Sequence, residues 1–515
     1  MEQSTYAAAG ALVLSLLILR WYLTLGPNLD AIPAVGHPGR LTSYITAFRF
    51  VLASQSIIDE GYTKFKGGLF KVPMLDHWLV VATDTRAVED IRKAPDDVLS
   101  FEHALFVFLQ TDWTVGPQLR RDPYHTALIR AGLTRSLAGL ADPLHDELVR
   151  AFRGIIPAAE EWTRYPAAET LMRVVCQTSN RVFVGAPLCR DADFQELNIQ
   201  FTLEIVKAAV ILKLFPDFLK PLAALAFSNV RSCTRRCARH IEPLVNARRA
   251  RQRELGDGEA WEKEKPNDML MWCMDAARGD EQEIEKLALR ILLINFGAIH
   301  TTSMTLVFAL YRLAANPEHA APLRADAERA LAAHGGWTKR ALDAMPAVES
   351  FLKEVLRIDA TGIWAMQRLA LRPFTFSNGA TVPRGTMLAV PVLSVNQDPV
   401  YHPRARTFDP WRFLHSQDQH ADEDKGADDK EHTQGYRAPL AATQPEYLSF
   451  GHGKHACPGR FFAAVELKAM LAHVVLTYDV RFPPGTGRPP NDYLAAACLP
   501  GKADLEFRKR AAAAE

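Results

Sequence analysis

Phe450-Gly451-His452-Gly453-Lys454-His455-Ala456-Cys457-Pro458-Gly459 is the densest stretch of chemistry in the chain, and its reading decides the fold. Glycines at 451, 453 and 459 let the backbone turn tightly and approach a flat cofactor closely. An apolar helix is expected from Arg460 to about Leu476, so the N–H groups at its start can stabilise negative charge on the Cys457 sulfur. Three other readings compete. Gly451-x-Gly453-x-x-Ala456 nominally satisfies a dinucleotide fingerprint, but no βαβ pattern surrounds it. His452, His455 and Cys457 are zinc donors without a second ligand pair at a familiar spacing. The plainest reading is a glycine-rich turn around an inert, buried cysteine, and the loop by itself leaves it open.

Upstream, Val348, Phe351, Leu352, Val355 and Ile358 recur at helical spacing and predict a helix from about Ala347 to Ile358. Glu354 and Arg357 become neighbours at i, i+3, a spacing that by itself reads as a surface ion pair worth roughly a few tenths of a kcal/mol. The longest helix is expected from about Glu281 to Ala315, stopped by Asn316-Pro317. Within it, Gly297-Ala298-Ile299-His300-Thr301-Thr302 reads by periodicity as a tolerated glycine and β-branched residues in a core helix. Helical periodicity dominates from about Ile45 to Ser350, interrupted by β-like pieces such as Trp78-Leu79-Val80-Val81. Further on, residues 381–386 read as a turn leading into a strand from Met387 to Val392. The expected class is mainly α with small β-sheets.

A net charge of +1 gives no electrostatic ground for a nucleic-acid partner. Seven cysteines, odd in number and scattered, fit a reducing compartment better than a disulfide framework. Near the N-terminus, Ala7 to Leu19 is apolar apart from Gly10 and Ser15, and Arg20-Trp21-Tyr22 follows as the interfacial end of a membrane helix. The rival is a secretory signal peptide, against which stand Glu2 and the lack of an early Lys or Arg. The expected plan is an anchor over residues 1–25, a Pro/Gly-rich hinge over 26–40 and a body over 41–515 on the cytoplasmic side. Residues 415–437 are polar and mostly acidic, and read as an exposed insertion.

The opening stretch resembles the cysteine-ligand loop of the cytochrome P450 family, Phe-x-x-Gly-x-(Arg or His)-x-Cys-x-Gly, filled by Phe450, Gly453, His455, Cys457 and Gly459. Further family elements occur in the family's order, so the resemblance spans essentially the whole chain after the anchor. It implies the haem-thiolate fold, with haem b held through its iron by the Cys457 thiolate. It also makes Glu354 and Arg357 the Glu-x-x-Arg pair, buried and completed by Arg412 from Phe408-Asp409-Pro410-Trp411-Arg412-Phe413, with the structural role of holding the cysteine loop. In the long helix it places Thr301 where an alcohol helps deliver protons to dioxygen, with Thr302 beside it. His300 stands where an Asp or Glu is usual; imidazole can relay protons near neutral pH. For the haem propionates it nominates His455, Arg368, His125 and Arg130; the last two come from a segment that lacks the usual Trp-x-x-x-Arg.

The implied activity is insertion of one oxygen atom from O2 into a hydrophobic small molecule. The Ile299-His300-Thr301-Thr302 variant resembles that of fungal terpenoid-oxidising monooxygenases, ent-kaurene-oxidase-like enzymes among them, which points to a terpenoid of secondary metabolism. Aromatic or xenobiotic substrates are the alternative, and a non-catalytic haem sensor or transport protein is the alternative from another class. The chain carries no credible flavin or nicotinamide motif, so NADPH enters only through a separate NADPH-cytochrome P450 reductase, expected to dock around Lys454 and Arg460. The anchor and this partner together imply the endoplasmic reticulum membrane.

Overall fold

The computed structural model describes Ser15 and residues 26–39, 41–414 and 439–510. The expected anchor (Ser15 apart) and the polar insertion lie outside the described residues. The expected hinge does not stand free: Leu29, Ile32 and Val35 are buried, and Pro33 and Val35 exchange backbone hydrogen bonds with Lys71.

The chain is mainly helical. The helices that build the site are α1 (Ser43–Lys64), α2 (Thr85–Lys93), α3 (Thr134–Ile155), α4 (Ala167–Phe183), α5 (Ala192–Leu212), α6 (Lys220–Phe227), α7 (Val230–Leu255), α8 (Ile284–Ala315), α9 (Ala320–Ala333), α10 (Pro346–Ile358) and α11 (Arg460–Thr477). Eight strands matter here: β1 (Leu69–Pro73), β2 (Trp78–Ala82), β3 (Leu99–Ser100), β4 (Thr163–Pro166), β5 (Trp364–Ala370), β6 (Met387–Pro391), β7 (Tyr478–Arg481) and β8 (Asp504–Lys509). A five-stranded sheet runs β1-β2-β6-β5-β3, and a three-stranded one runs β4-β8-β7. Only β2 and β6 pair in parallel in the larger sheet.

Helix α8 is the spine. It packs on α4, α5, α7, α10 and α11, and ends where Asn316-Pro317 forbids another turn. It starts three residues later than periodicity predicts, because Gly279–Gln282 forms a separate 3-10 turn and Glu283 is extended. It is long and apolar enough to cross a membrane, but 61% of its apolar window is buried in the fold, as suits a core helix. Where the surround is apolar, Asn295 and Asn180 satisfy each other's amides across α8 and α4, at 2.9 and 3.1 Å.

Helix α10 starts with Pro346 in its first turn, and Asp326 of α9 accepts the otherwise orphaned N–H groups of Ala347 and Val348 at 2.8 and 3.1 Å. The anticipated stripe is buried, and so is every other residue from Ser350 to Ile358. Strand β6 stops at Pro391, and Val392 opens a short helix to Asn396 rather than ending the strand.

Candidate active site

The glycine-rich loop turns as its glycines require. Gly451 and Gly453 have φ of 68° and 76°, the left-handed region. A Cβ on Gly453 would lie 2.4 Å from Arg92 Cγ, so α2 packs directly on the loop backbone. Glu89 takes Arg92 Nε and Nη2 at 2.7–2.9 Å and His452 Nε2 at 3.1 Å. Asp96 takes His455 Nε2 at 2.7 Å and Lys454 Nζ at 3.0 Å. These acids were not singled out from sequence, because nothing in their local pattern points to residues some 360 positions away.

Cys457 ends the loop. Its N–H donates to the Phe450 carbonyl at 2.8 Å, closing the turn. Protein encloses the thiol on nearly all sides, yet the residue presents accessible surface. The thiol therefore sits in a recess, closely surrounded but open on one side. Burial pushes the thiol up, while the Gly459 and Arg460 N–H groups and the Arg460 guanidinium pull it down. A coordinated cation would deprotonate it outright.

Helix α8 shows a second such contradiction. Ile299, Thr302 and Ser303 are buried, but Gly297 and Thr301, one turn apart on one face, are exposed. A Cβ on Gly297 would meet nothing within 4 Å. Thr301 Oγ1 donates to the Gly297 carbonyl at 2.9 Å, which leaves the hydroxyl oxygen able to accept from the open side. Thr302 sits on the packed side, 4% exposed, away from this face. His300 turns elsewhere as well: its Nε2 lies 3.0 Å from the Ile199 carbonyl of α5.

Around the loop the structure gathers cations. Arg368 is 2% exposed, bonds its neighbour's carbonyl at Gln367 and lies 5.7 Å from the Phe101 ring. Among the described residues no carboxylate is within ion-pair distance of it. Burial lowers its pKa to about 10. His455 stacks on the same Phe101 ring at 5.1 Å. A bulge in β5 aims Arg368: Ala365 faces Val390 but Arg368 faces Leu388, so one extra residue is inserted, and Met366 takes φ 55° to absorb it.

Arg130 reaches the loop from the far side, donating to the Lys454 carbonyl at 3.0 Å. It lies in a π-helical turn, Leu128–Leu133. His125 lies in the α-helical turn just before it, Tyr124–Ala127. His125 Nδ1 accepts from Arg290 at 3.1 Å, and burial with that neighbouring charge lowers its pKa to about 4. It is a neutral imidazole whose Nε2–H remains a donor.

Glu354, Arg357 and Arg412 meet in the core, the first two at 0% exposure. Arg357 grips the carboxylate bidentately at 2.7 and 2.8 Å, and Arg412 Nε adds bonds at 3.1 and 3.2 Å. The remaining guanidinium protons reach the carbonyls of Pro403, Ala405, Thr407 and Asn396. Asn396 then bonds Leu448 N and Ser449 Oγ, just ahead of the loop, at 2.9 and 3.0 Å. The triad is thus tied to the cysteine loop through one residue.

A recessed thiol with accessible surface, an open helix face and a buried cation lacking a carboxylate suit a flat, dianionic iron cofactor. Zinc lacks a donor set: no group of three His, Cys, Asp or Glu is poised for a metal among the described residues.

The cytochrome P450 family model matches residues 57–507. The chain is 39% identical to cytochrome P450 monooxygenase 151 of Postia placenta, over 98% of each chain. It is 32% identical to cytochrome P450 monooxygenase CYP512U6 of Ganoderma lucidum, over 97% of this chain and 94% of that one. Cytochrome P450 monooxygenase paxQ of Penicillium paxilli is 30% identical over 89% and 88%.

Proposed function

The chain belongs to the cytochrome P450 family of monooxygenases, and on that premise we propose that it oxidises a hydrophobic small molecule, a terpenoid, at a haem held by Cys457. The observation that carries this is the closely surrounded Cys457 thiol that still presents accessible surface, flanked by the N–H groups of Gly459 and Arg460. When bound, a haem-thiolate supplies the activation of dioxygen that converts a C–H bond into an alcohol, with the second oxygen atom leaving as water.

The rest is the work of this chain's side chains. Arg368 and Arg130 supply positive charge for the propionates, His455 lines the same place beside Arg368 on the Phe101 ring, and His125 offers a neutral N–H donor. The Glu89 and Asp96 ties hold the loop that presents the thiolate. Thr301 gives its hydroxyl proton to the Gly297 carbonyl and turns its oxygen to the open face as an acceptor, so that rotation of the hydroxyl is what delivers the proton there. Gly297 keeps that face clear of a side chain. Electrons come from an NADPH-dependent reductase that docks near Lys454 and Arg460. Residues 1–25 anchor the protein in the endoplasmic reticulum membrane, which suits a substrate that partitions into lipid. The terpenoid reading rests on the Ile299-His300-Thr301-Thr302 resemblance.

Two experiments test this. Cys457→Ala is expected to abolish the red-shifted, thiolate-type absorption of the reduced carbonyl complex; an unchanged spectrum refutes the ligand assignment. Yeast expressing the chain with a reductase is fed a panel of terpenoids and aromatics. Oxygenated terpenoids are expected, and turnover of aromatics alone overturns the substrate class.

A further inference from the structure

His300 occupies the middle of α8, next to the open face at Thr301, yet its ring is committed to another helix. A carbonyl only accepts, so the bond to Ile199 fixes the proton on Nε2. Proton relay through imidazole needs one nitrogen to receive and the other to deliver. An amide carbonyl takes no proton near neutral pH, so a relay through His300 would have no second terminus.

The same bond has a mechanical meaning. Among the described residues, no other hydrogen bond joins α5 to α8. The N-terminal end of α5 is pinned by other means: Asp193 takes Arg236 and His240 of α7, and Gln195 bonds the Cys189 carbonyl at 2.9 Å. Beyond Ile199 the same face of α5, at i+4, i+7 and i+11, carries Leu203, Val206 and Val210, all apolar and exposed, followed by Phe218, Leu222 and Leu225 around α6. The face of α5 that His300 touches therefore continues into an uncovered apolar stretch, packed only on its opposite side. Ile199 marks where the pinned part ends.

We propose that His300 is a latch: its hydrogen bond to Ile199 holds α5 down across α8, and opens when a bulky molecule passes between the two helices to the Thr301 face. His300 is in this view a positioning residue that controls access, and does not carry protons to dioxygen. The proposal rests on the reading of the Thr301 face as the substrate cavity.

The test uses the full-length holoenzyme in nanodiscs, with His300→Leu to remove the donor and His300→Gln to restore an N–H at the reach of Nε2. Amide hydrogen exchange over residues 199–212 is expected to rise roughly fivefold in the leucine variant, the effect of losing one net hydrogen bond, and to return toward wild type in the glutamine variant. The association rate of 4-phenylimidazole, followed by the haem absorption shift, is expected to rise by a similar factor. Peroxide released per NADPH is expected to stay at the wild-type level. Unchanged exchange in the leucine variant overturns the latch, and raised peroxide with unchanged exchange returns His300 to the proton path. Should the leucine variant lose haem, His300→Asn, too short to reach Ile199, gives the same exchange comparison. Exchange needs no turnover, so failure of the latch is separable from failure of the haem reading.

Discussion

Glu466 lies nine residues beyond Cys457, on α11, and is completely buried. Ser179 of α4 bonds its Oε1 at 2.7 Å, and Oε2 has no partner. Among the described residues no cation is within ion-pair distance of it. Burial therefore pushes its carboxyl up from 4.5 to about 8. Between those values the unfolded chain releases a proton that the folded chain keeps, so the folded state loses ground as pH rises. The loss is about 1.4 kcal/mol per pH unit and reaches about 3 kcal/mol at pH 7. Below 4.5 both states are protonated and above about 8 both are ionised, so the slope is confined to that window. Glu466→Gln keeps an acceptor for Ser179 and removes the titration. Denaturant unfolding of both proteins at several pH values isolates this group, since other titrations are common to both. The stability advantage of the glutamine variant is expected to grow by about 1.4 kcal/mol per unit from pH 5 to pH 8, then level off. A pH-independent difference would mean that Glu466 is ionised in the native protein, and would refute the reasoning.

Arg357→Leu leaves the Glu354 carboxylate buried with only Arg412 beside it, and is expected to cost about 3–5 kcal/mol. Glu354→Gln should be milder than Arg357→Leu, and haem content per purified protein orders the two variants. Gly453→Ala places a methyl against Arg92 at a φ that disfavours any side chain, so haem incorporation is expected to fall; adding Arg92→Ala relieves the clash but not the φ, and should restore only part of it. Thr301→Ala removes the hydroxyl on the open face and should raise peroxide yield relative to product while leaving the carbonyl spectrum intact; coupled turnover in that variant refutes the proton role.

What was readable in the sequence was what depends on neighbours. The loop's turns follow from Gly451 and Gly453, whose positive φ values only glycine adopts freely. The end of α8 follows from Asn316-Pro317, while its start was misjudged because Glu281 continues the polar pattern of a helix that Gly279 and Glu283 interrupt. Spacing alone made Glu354 and Arg357 a surface pair. Their complete burial depends on Asn396, Pro403, Ala405, Thr407 and Arg412, which come from elsewhere in the chain, and only the family resemblance anticipated it.

The same limit explains His300. As a residue beside Thr301 it is a titratable group near the reaction, and its type suggests proton transfer. Its partner, the Ile199 carbonyl, lies 101 residues away on a helix whose packing across α8 no local pattern encodes. A backbone acceptor also has no side-chain identity, so no residue type in α5 could have announced it. The more firmly Nε2–H is held by a carbonyl, the less useful the ring is as a relay and the more work is needed to lift α5 from α8. The proposed latch role thus rests on a backbone acceptor that residue type could not reveal.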